Sequence, residues 1–238
     1  MIPSQNFEWS EANVVEKTNL GERLVGLRLC VPGWVTHTPG QYIDVRIKTQ
    51  KGYNAVKQYS ISSPPHDQSV ELCVEIFENG EVSPILRDLN IGNKLDVRGP
   101  LGVHFVWDGS ASEPVVAIAG GTGITPFVSM LRHYEHRALR QDFFLFASAQ
   151  NQKKLPYISE IMSLAKKATA VTFVPVMTRD STWDGPKGRI DAVLLRQILK
   201  LKNPLVYICG STSFVEHVVD LVVKFGFSQN NIRTEFFI

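Results

Sequence analysis

The sequence predicts two domains: an antiparallel β-barrel over residues 1–108, followed by a parallel-sheet α/β domain over residues 114–238. In the first part, short segments of alternating apolar and polar residues are separated by glycine, proline and asparagine turns, which is typical of a small barrel. In the second part, apolar strands alternate with segments of helical periodicity, which is typical of βαβ units. The pattern changes in the stretch Trp107–Pro114, which we interpret as the domain boundary.

The barrel strands are predicted where apolar residues recur at every second position. They lie at Val14–Thr18, Leu24–Val31, Gln41–Ile47, Lys57–Ser63, Val70–Ile76 and Lys94–Gly102, the last closed by a turn. One segment differs, because Val82–Leu89 favours a short helix in which Ser83 caps the N-terminus and Pro84 occupies the first turn.

The α/β part is predicted from its apolar strands and the amphipathic segments between them. Strands are expected at Val115–Ala119, Phe143–Ala147, Val171–Met177 and Leu205–Cys209. Helices are expected from Pro126, from Leu155, near Ile190–Leu201 and over Ser213–Phe225. Gly226 is a natural stop for the last helix.

The strand Val115–Ala119 leads into a glycine-rich turn, Gly120-Gly121-Thr122-Gly123-Ile124-Thr125-Pro126, and then a helix. Glycines permit positive φ and close approach of the backbone to a ligand. The helix start offers free N–H groups and the positive end of its dipole to an anion. The turn therefore predicts a phosphate or dinucleotide site, although a glycine turn alone fits a simple tight connection equally well.

Composition excludes several classes of protein. Of the 238 residues, 44% are hydrophobic and 20% are charged, and the formal net charge is +2. That charge is too small for the basic stripe of a nucleic-acid-binding protein. No apolar run approaches the ~18 residues of a membrane span, and the N-terminal residues lack the pattern of a signal peptide. A cytoplasmic protein that binds neither nucleic acid nor membrane is expected.

No metal site is predicted. The three cysteines are widely spaced and form neither a disulfide framework nor a zinc motif. His133 and His136 lie three residues apart in a predicted helix without a third ligand, and we interpret both as surface residues.

Five motifs follow one another in a fixed order: Tyr59-Ser60, Gly99–Gly102, Gly120–Gly123, Cys209-Gly210 and Glu235-Phe236-Phe237. In this order the chain resembles the ferredoxin–NADP reductase family over essentially its whole length. It is most similar to stand-alone bacterial ferredoxin-reductase-type proteins without a fused iron–sulfur domain, because no cysteine cluster of ferredoxin spacing occurs.

The resemblance implies that the barrel binds FAD. Lys57-Gln58-Tyr59-Ser60 stands where the family has Arg-x-Tyr-Ser, and Ile61 and Ser62 follow as further cofactor-binding positions. By resemblance, Tyr59 packs on the isoalloxazine, Ser60 hydrogen-bonds near flavin N5, and Lys57 meets the phosphate. Lysine lacks the bidentate fork of arginine, so FAD retention is expected to be weaker. The second flavin element is Gly80-Glu81-Val82-Ser83, in which Gly80, Val82 and Ser83 are cofactor-binding positions.

The resemblance also implies a site for NADH or NADPH. Its cofactor-binding positions are Gly121, Thr122, Gly123, Thr125, Pro126, Arg179, Cys209 and Gly210, with Phe237 as the ring beside the flavin. The adjacent Phe236 leaves that last assignment open. Ser60, Cys209 and Glu235 are the expected catalytic residues, which position and polarise the reactants without forming a covalent intermediate.

The coenzyme preference is expected to lean towards NADH. NADP-binding proteins usually place an arginine near the end of the second strand to pair with the 2′-phosphate. Ser148–Gln152 contains no arginine, and Arg179, after the third strand, is followed at once by Asp180. Lys153 and Lys154 could reach the region, but a solvated lysine pair is the commoner arrangement.

Three functions remain open at this point. The first is an FAD-bound NAD(P)H reductase that feeds an electron carrier such as ferredoxin, flavodoxin or an oxygenase component. The second is a reductase that uses free flavin as its substrate. The third is a non-enzymatic nucleotide-binding subunit, which has no need of Ser60, Cys209 and Glu235 together. The oligomeric state also stays open, and a monomer is compatible with the sequence.

Overall fold

The computed structural model describes residues 5–49 and 51–237. Its first part contains one antiparallel sheet and a short helix. The strands are β1 Ser10–Gly21, β2 Leu24–Cys30, β3 Tyr42–Lys48, β4 Asn54–Ser60, β5 Val70–Glu75 and β6 Lys94–Leu101, and the helix is α1 Ser83–Asp88. The strand order is β4-β3-β6-β1-β2-β5. A bridge between Ile61 and Leu72 joins the two ends, which confirms the predicted antiparallel barrel.

The second part contains one parallel sheet with helices between its strands. Its elements are β7 Val115–Gly120, α2 Thr125–His136, β8 Phe143–Ala149, α3 Ile158–Lys167, β9 Val171–Met177, α4 Ala192–Leu195, β10 Leu205–Ser211, α5 Thr212–Lys224 and β11 Ile232–Phe237. The strand order is β11-β10-β7-β8-β9, so the predicted α/β domain is confirmed. No described helix is long and apolar enough to cross a bilayer.

The strand order fixes where a ligand can bind. The chain starts at the central strand β7, adds β8 and β9 on one side, and then adds β10 and β11 on the other. Connections therefore leave the carboxyl ends of β7 and β10 in opposite directions and open a crevice between them. Crevices of this kind are the usual ligand sites of open parallel sheets. The turn after Gly120 and the segment Cys209-Gly210 flank this one.

Three local expectations differ from the structure. The helix expected near Ile190–Leu201 is only the short α4 followed by a 3-10 turn, Arg196–Ile198. Strand β11 was not expected, because Arg233, Thr234 and Glu235 interrupt the apolar pattern of an edge strand. Ser83 does not cap α1: the N-cap is Val82, and the Ser83 hydroxyl instead accepts the backbone N–H of Phe77 at 3.0 Å.

The segment between the domains is fastened to the parallel sheet. The carbonyl of Val106 accepts hydrogen bonds from the Tyr207 hydroxyl and from Arg233 Nη1, each at 2.9 Å. Tyr207 is buried on β10, and Trp107 packs into the same apolar core. These contacts hold the link between the two sheets against the second domain.

Candidate active site

Three residues that the sequence nominates as catalytic meet at the junction of the two sheets. Ser60 is the last residue of β4 and is 3% exposed. Its hydroxyl donates a hydrogen bond of 2.9 Å to Glu235 Oε1 on β11. Glu235 lies opposite Cys209 in the parallel register of β10 and β11. A hydroxyl, a carboxyl and a thiol therefore stand together beside the switch-point crevice.

Burial governs the charge of this group. Removal from water raises the pKa of the Glu235 carboxyl to about 7, although the hydrogen bond from Ser60 favours the ionised form and opposes the shift. Burial, reinforced by the neighbouring Glu235, raises the pKa of the Cys209 thiol well above its usual range. Burial also raises the pKa of Tyr42, with the charges of Asp44 and Glu235 adding to the effect. At neutral pH the site thus holds a neutral thiol and a carboxyl near its midpoint.

The raised pKa predicts how Glu235 affects stability. A carboxyl with a pKa of about 7 when folded and 4.5 when unfolded favours the folded state most below pH 4.5. That contribution is lost as the pH rises through 7. The shift corresponds to about 3 kcal/mol. Glu235→Gln should therefore gain up to about 3 kcal/mol over the wild type above pH 7.

The measurement is urea unfolding of both proteins at several pH values. Most of the gain should disappear near pH 5, where the wild-type carboxyl is largely protonated in the folded state. An equal stability difference at pH 5 and pH 8 would contradict the assignment of a raised pKa to Glu235.

The structural reason for a glycine differs from one position of the turn to the next. Gly121 has φ +56°, and a Cβ there would meet nothing within 4 Å. At Gly123 a Cβ would lie 2.3 Å from the carbonyl oxygen of Cys209. Gly120 has extended backbone and lies under the Phe214 ring. Of the glycines in this turn, therefore, only Gly121 adopts positive φ, and Gly123 is required by the close approach of β10.

The turn is also tied by side chains on both of its sides. The Thr125 hydroxyl donates to the Thr122 carbonyl at 2.7 Å, and the Thr122 hydroxyl donates to Glu75 Oε2 at 3.3 Å. Glu75 ends β5 of the barrel, so this contact crosses between the sheets. Pro126 is buried in the first turn of α2.

The two predicted flavin elements lie on the barrel. Lys57 and Gln58 are exposed on β4, and Tyr59 is half-buried against the barrel core, where burial raises the pKa of its phenol. Gly80 donates its backbone N–H to the Phe77 carbonyl at 2.8 Å. The neighbouring Glu81 accepts from Lys51 at 2.9 Å.

Three other predicted positions have side chains that belong to the interior. Ile61 and Val82 lie in the barrel core, and Ser62 is buried and bonded to the Glu71 carbonyl at 3.0 Å. A ligand would therefore meet these residues through their backbone.

Arg179 lies apart from the Ser60 group, just beyond the end of β9. It is exposed, and its backbone N–H donates to the Gln150 carbonyl at 2.9 Å. The Asp180 carboxylate accepts hydrogen bonds from the backbone N–H and the hydroxyl of Thr182, at 3.0 and 2.6 Å. Among the described residues Arg179 has no ion pair with Asp180. Lys154, by contrast, donates to Gln150 at 2.8 Å.

Two family models match consecutive parts of the chain. The oxidoreductase FAD-binding domain matches residues 11–107, and the oxidoreductase NAD-binding domain matches residues 117–220. Together they cover well over half of the sequence, each on the sheet where the sequence predicts it. The chain belongs to the ferredoxin-reductase-type family. Its barrel is the FAD-binding domain, and its parallel sheet is the NAD-binding domain.

Curated relatives are similar over most of this chain. The flavohemoprotein of Bacillus subtilis (strain 168) is 29% identical over 205 residues, which is 83% of this chain and 51% of the relative. The propane 2-monooxygenase reductase component of Rhodococcus jostii (strain RHA1) is 26% identical over 220 residues, 88% of this chain and 58% of the relative. The chain thus spans about half the length of these two relatives.

Solved structures share the fold at low identity. The FAD/NAD-binding domain of nitric oxide dioxygenase from Vibrio cholerae has a TM-score of 0.87 at 21% identity, covering 96% of this chain and 98% of that one. A ferredoxin NADP⁺ reductase from Neisseria gonorrhoeae with bound FAD and NADP has a TM-score of 0.82 at 20% identity, with coverage of 96% and 98%. These likenesses agree with the two-domain architecture.

Phe236 and Phe237 lie on opposite faces of strand β11. Phe237 lies on the same face of the strand as Glu235 and packs against the core of the NAD-binding domain. Phe236 faces the other way and is 47% exposed. The alternation of an edge strand, once recognised, would have separated the two positions from sequence.

Sequence reasoning missed two residues of the site. Phe214, on the first turn of α5, packs on Gly120 and Gly210, where added Cβ atoms would lie 2.9 and 2.8 Å from its ring. Glu75 reaches Thr122 from the other domain. The sequence offers no signal for either, because both contacts join segments far apart in the chain.

One histidine interpretation was wrong. His133 is buried rather than on the surface, and its Nε2 lies 3.1 Å from the Asp108 carbonyl. Because α2 turns this residue towards the segment before the NAD-binding domain, its ring is covered. Among the described residues no group of three or more His, Cys, Asp or Glu is arranged to hold a metal ion.

Proposed function

We propose that this protein is an FAD-dependent NAD(P)H reductase that passes electrons from a nicotinamide coenzyme to a one-electron acceptor protein. The observation that carries the proposal is the 2.9 Å hydrogen bond from Ser60 to Glu235. It joins the FAD-binding domain to the NAD-binding domain at the side of Cys209, where a flavin and a nicotinamide have to meet. The division of the chain into residues 1–108 and 114–238 is part of the same proposal.

The residues present suit FAD. Lys57 offers an exposed cation for a phosphate, and Tyr59 offers a ring on the same strand. Ser60 offers a hydroxyl that is almost completely buried. On the other side, Gly121 leaves open space at a helix start, which allows an anionic pyrophosphate to approach the backbone. When bound, FAD supplies the redox chemistry, because it accepts a hydride from the nicotinamide and releases electrons singly.

The protein's own residues orient the reactants and control protons. Ser60 and Glu235 form a hydrogen-bonded pair whose carboxyl titrates near neutrality, so it can hold or release a proton at Oε1. Cys209 stays a neutral thiol and contributes shape and polarity without acting as a nucleophile. Phe214 packs over Gly120 and Gly210 at the edge of the crevice.

The acceptor is proposed by class. The relative from Rhodococcus jostii is named as a reductase component of a monooxygenase, and the one from Bacillus subtilis is named a flavohemoprotein. A ferredoxin, a flavodoxin or an oxygenase component would each take electrons one at a time. We favour a separate carrier protein of this kind for the present chain.

The proposal is tested by purification and titration. The protein should carry flavin or take up FAD, show flavin absorption bands, and have those bands bleached by NADH or NADPH under anaerobic conditions. Reduced protein should then reduce cytochrome c through an added ferredoxin. Failure both to carry flavin and to bind FAD in a titration would refute the proposal.

A second candidate, a reductase of free flavin, is favoured by Lys57 in place of arginine. Lysine meets phosphate as a point charge and holds it less specifically. FAD that leaves the protein on gel filtration, with turnover that saturates in added flavin, would select this alternative.

Lys57→Arg is expected to tighten FAD binding about 3- to 10-fold, because a planar fork pairs with phosphate in two hydrogen bonds. The measurement is a fluorescence titration of flavin-free protein with FAD. Lys48→Arg, an exposed residue at the end of β3, is the matched control and should leave the affinity unchanged. Unchanged or weaker FAD binding by Lys57→Arg would contradict the assignment of Lys57 to the FAD phosphate.

NADH is expected to be the better coenzyme. A single exposed arginine contributes little to holding a 2′-phosphate, because ion pairs at the protein surface are weak. The measurement is steady-state ferricyanide reduction with each coenzyme, repeated with Arg179→Ala. We expect kcat/KM for NADH to change less than about fivefold in that variant. A strong NADPH preference that collapses in Arg179→Ala would reverse the assignment.

A further inference from the structure

A second set of contacts joins the two domains around Glu71. This residue lies on β5 and is 7% exposed. Its Oε2 accepts hydrogen bonds from Arg28 at 2.7 Å and from Arg132 at 3.0 Å, and its Oε1 accepts from the Tyr157 hydroxyl at 2.7 Å. Arg28 belongs to the barrel, whereas Arg132 and Tyr157 belong to the NAD-binding domain. A buried carboxylate of one domain is therefore bound by two groups of the other.

Arg132 is itself held in one orientation. Its Nε and Nη2 donate to Oε1 and Oε2 of Glu160 at 2.6 and 2.9 Å, which is a bidentate pair. Its Nη1 donates both to Glu71 and to the Ser62 carbonyl, the latter at 3.1 Å. The guanidinium also lies 5.2 Å from the centre of the Tyr157 ring. Only the planar guanidinium of arginine can donate hydrogen bonds in all of these directions, and the ammonium group of lysine cannot replace it.

These contacts converge on the segment that follows Ser60. The Tyr157 hydroxyl oxygen also lies 3.1 Å from Ser62 Oγ. The Ser63 carbonyl accepts from the Ser129 hydroxyl of α2 at 2.7 Å and lies 2.9 Å from His37 Nε2. Residues 62 and 63 are thus fixed to the NAD-binding domain, two residues beyond the hydroxyl that binds Glu235.

We propose that Arg132 is a positioning residue for hydride transfer, which holds Glu71 and the Ser62 carbonyl so that Ser60 stays against Glu235. The inference rests on the proposed function and adds a residue that touches neither substrate nor cofactor. Buried ion pairs contribute little to stability because both charges are desolvated, but they fix one geometry when fully hydrogen-bonded. A displacement of 1 Å between reacting groups can cost about 100-fold in rate.

The test uses three variants of the whole chain. Arg132→Lys keeps the charge and loses the fork, whereas Tyr157→Phe keeps the ring and loses only the hydroxyl. Arg137→Lys, an exposed arginine at the end of the same helix, is the matched control. Tyr157→Phe keeps the proposal testable if Arg132→Lys does not fold.

The first measurement needs no flavin. Infrared difference spectra of the flavin-free protein follow the Glu235 carboxyl through a pH titration, with Glu235→Gln to identify its band. The groups that face Glu235 are Ser60, Cys209 and Tyr42. Loss of the Arg132 contacts should let water reach the carboxyl and lower its midpoint by about one pH unit or more. Arg137→Lys should leave the midpoint where it is.

The second measurement is anaerobic stopped-flow reduction of the FAD-loaded protein. Arg132→Lys should lower the limiting rate about 10- to 100-fold with little change in the NADH concentration at half-saturation. The long-wavelength charge-transfer absorbance of the stacked nicotinamide and flavin should fall with the rate.

A folded Arg132→Lys or Tyr157→Phe protein with the wild-type Glu235 midpoint and the wild-type limiting rate overturns the inference, even if it is less stable. If the wild type binds no flavin, the proposed function fails instead. The infrared titration then still decides whether Arg132 holds Ser60 against Glu235.

Discussion

Glu235→Gln is expected to slow the reduction of bound FAD by NADH about 100-fold, the lower end of what a positioned acid or base contributes. Glutamine fills the same space and can still accept the hydrogen bond from Ser60, so the flavin should stay bound. What it cannot do is hold or release a proton at Oε1. The limiting rate is measured by anaerobic stopped-flow at saturating NADH across pH 5.5–8.5, a range of roughly 1.5 units on each side of the carboxyl midpoint.

The pH profile distinguishes proton control from packing. The wild-type rate should change across pH 7, where Glu235 titrates, and the glutamine variant should show a flat profile there. Glu135→Gln, an exposed carboxyl on α2, is the control and should behave as the wild type. A variant at position 235 that reduces flavin at wild-type speed would take this residue out of the site.

Cys209→Ala should lower the same rate by a smaller factor, about tenfold, because the buried thiol acts through shape rather than through charge. The flavin should remain bound, since Cys209 lies on the NAD-binding side. A loss as large as that of Glu235→Gln would mean that the thiol takes part in the proton control.

Gly123→Ala is expected to disable the NAD-binding domain. An added Cβ would lie 2.3 Å from the Cys209 carbonyl oxygen and 2.7 Å from its carbonyl carbon. Both are backbone atoms, so no flexible side chain can move aside to relieve the clash. The turn and β10 must therefore separate, at a cost of about 3 kcal/mol. Urea unfolding and NADH titration of the oxidised protein should both show the loss.

Gly121→Asn is the matched comparison in the same turn. Its φ of +56° is one that asparagine tolerates, and a Cβ meets open space. The expected cost in stability is about 1 kcal/mol or less, whereas NADH binding should weaken because the side chain enters the proposed pyrophosphate approach. Equal loss of stability in both variants would show that open space at Gly121 does not distinguish the two glycines.

Regular patterns explain why so much of the fold could be predicted. Alternation at every second residue fixed the barrel strands, since a half-buried sheet needs one apolar face. The runs Val115–Ala119 and Leu205–Cys209 are apolar throughout, as strands covered on both sides must be. Strand β11 was missed and the helix near Ile190–Leu201 was predicted too long, because neither segment carries a strong period: β11 lies at a sheet edge, and α4 is a single turn.

The features of the candidate site likewise differ in whether they could be predicted from sequence. The sequence by itself indicated a ligand site at the glycine turn, because a turn of this kind between a strand and a helix start suits an anion, and the family resemblance nominated Tyr59-Ser60 and Cys209-Gly210. The tertiary structure alone decided that Ser60 binds Glu235, that Gly123 lies against Cys209, and that Arg132 holds Glu71. Each of these contacts joins residues 61 to 175 positions apart. Periodicity describes which face a residue occupies, and only the packing of two sheets determines what that face meets.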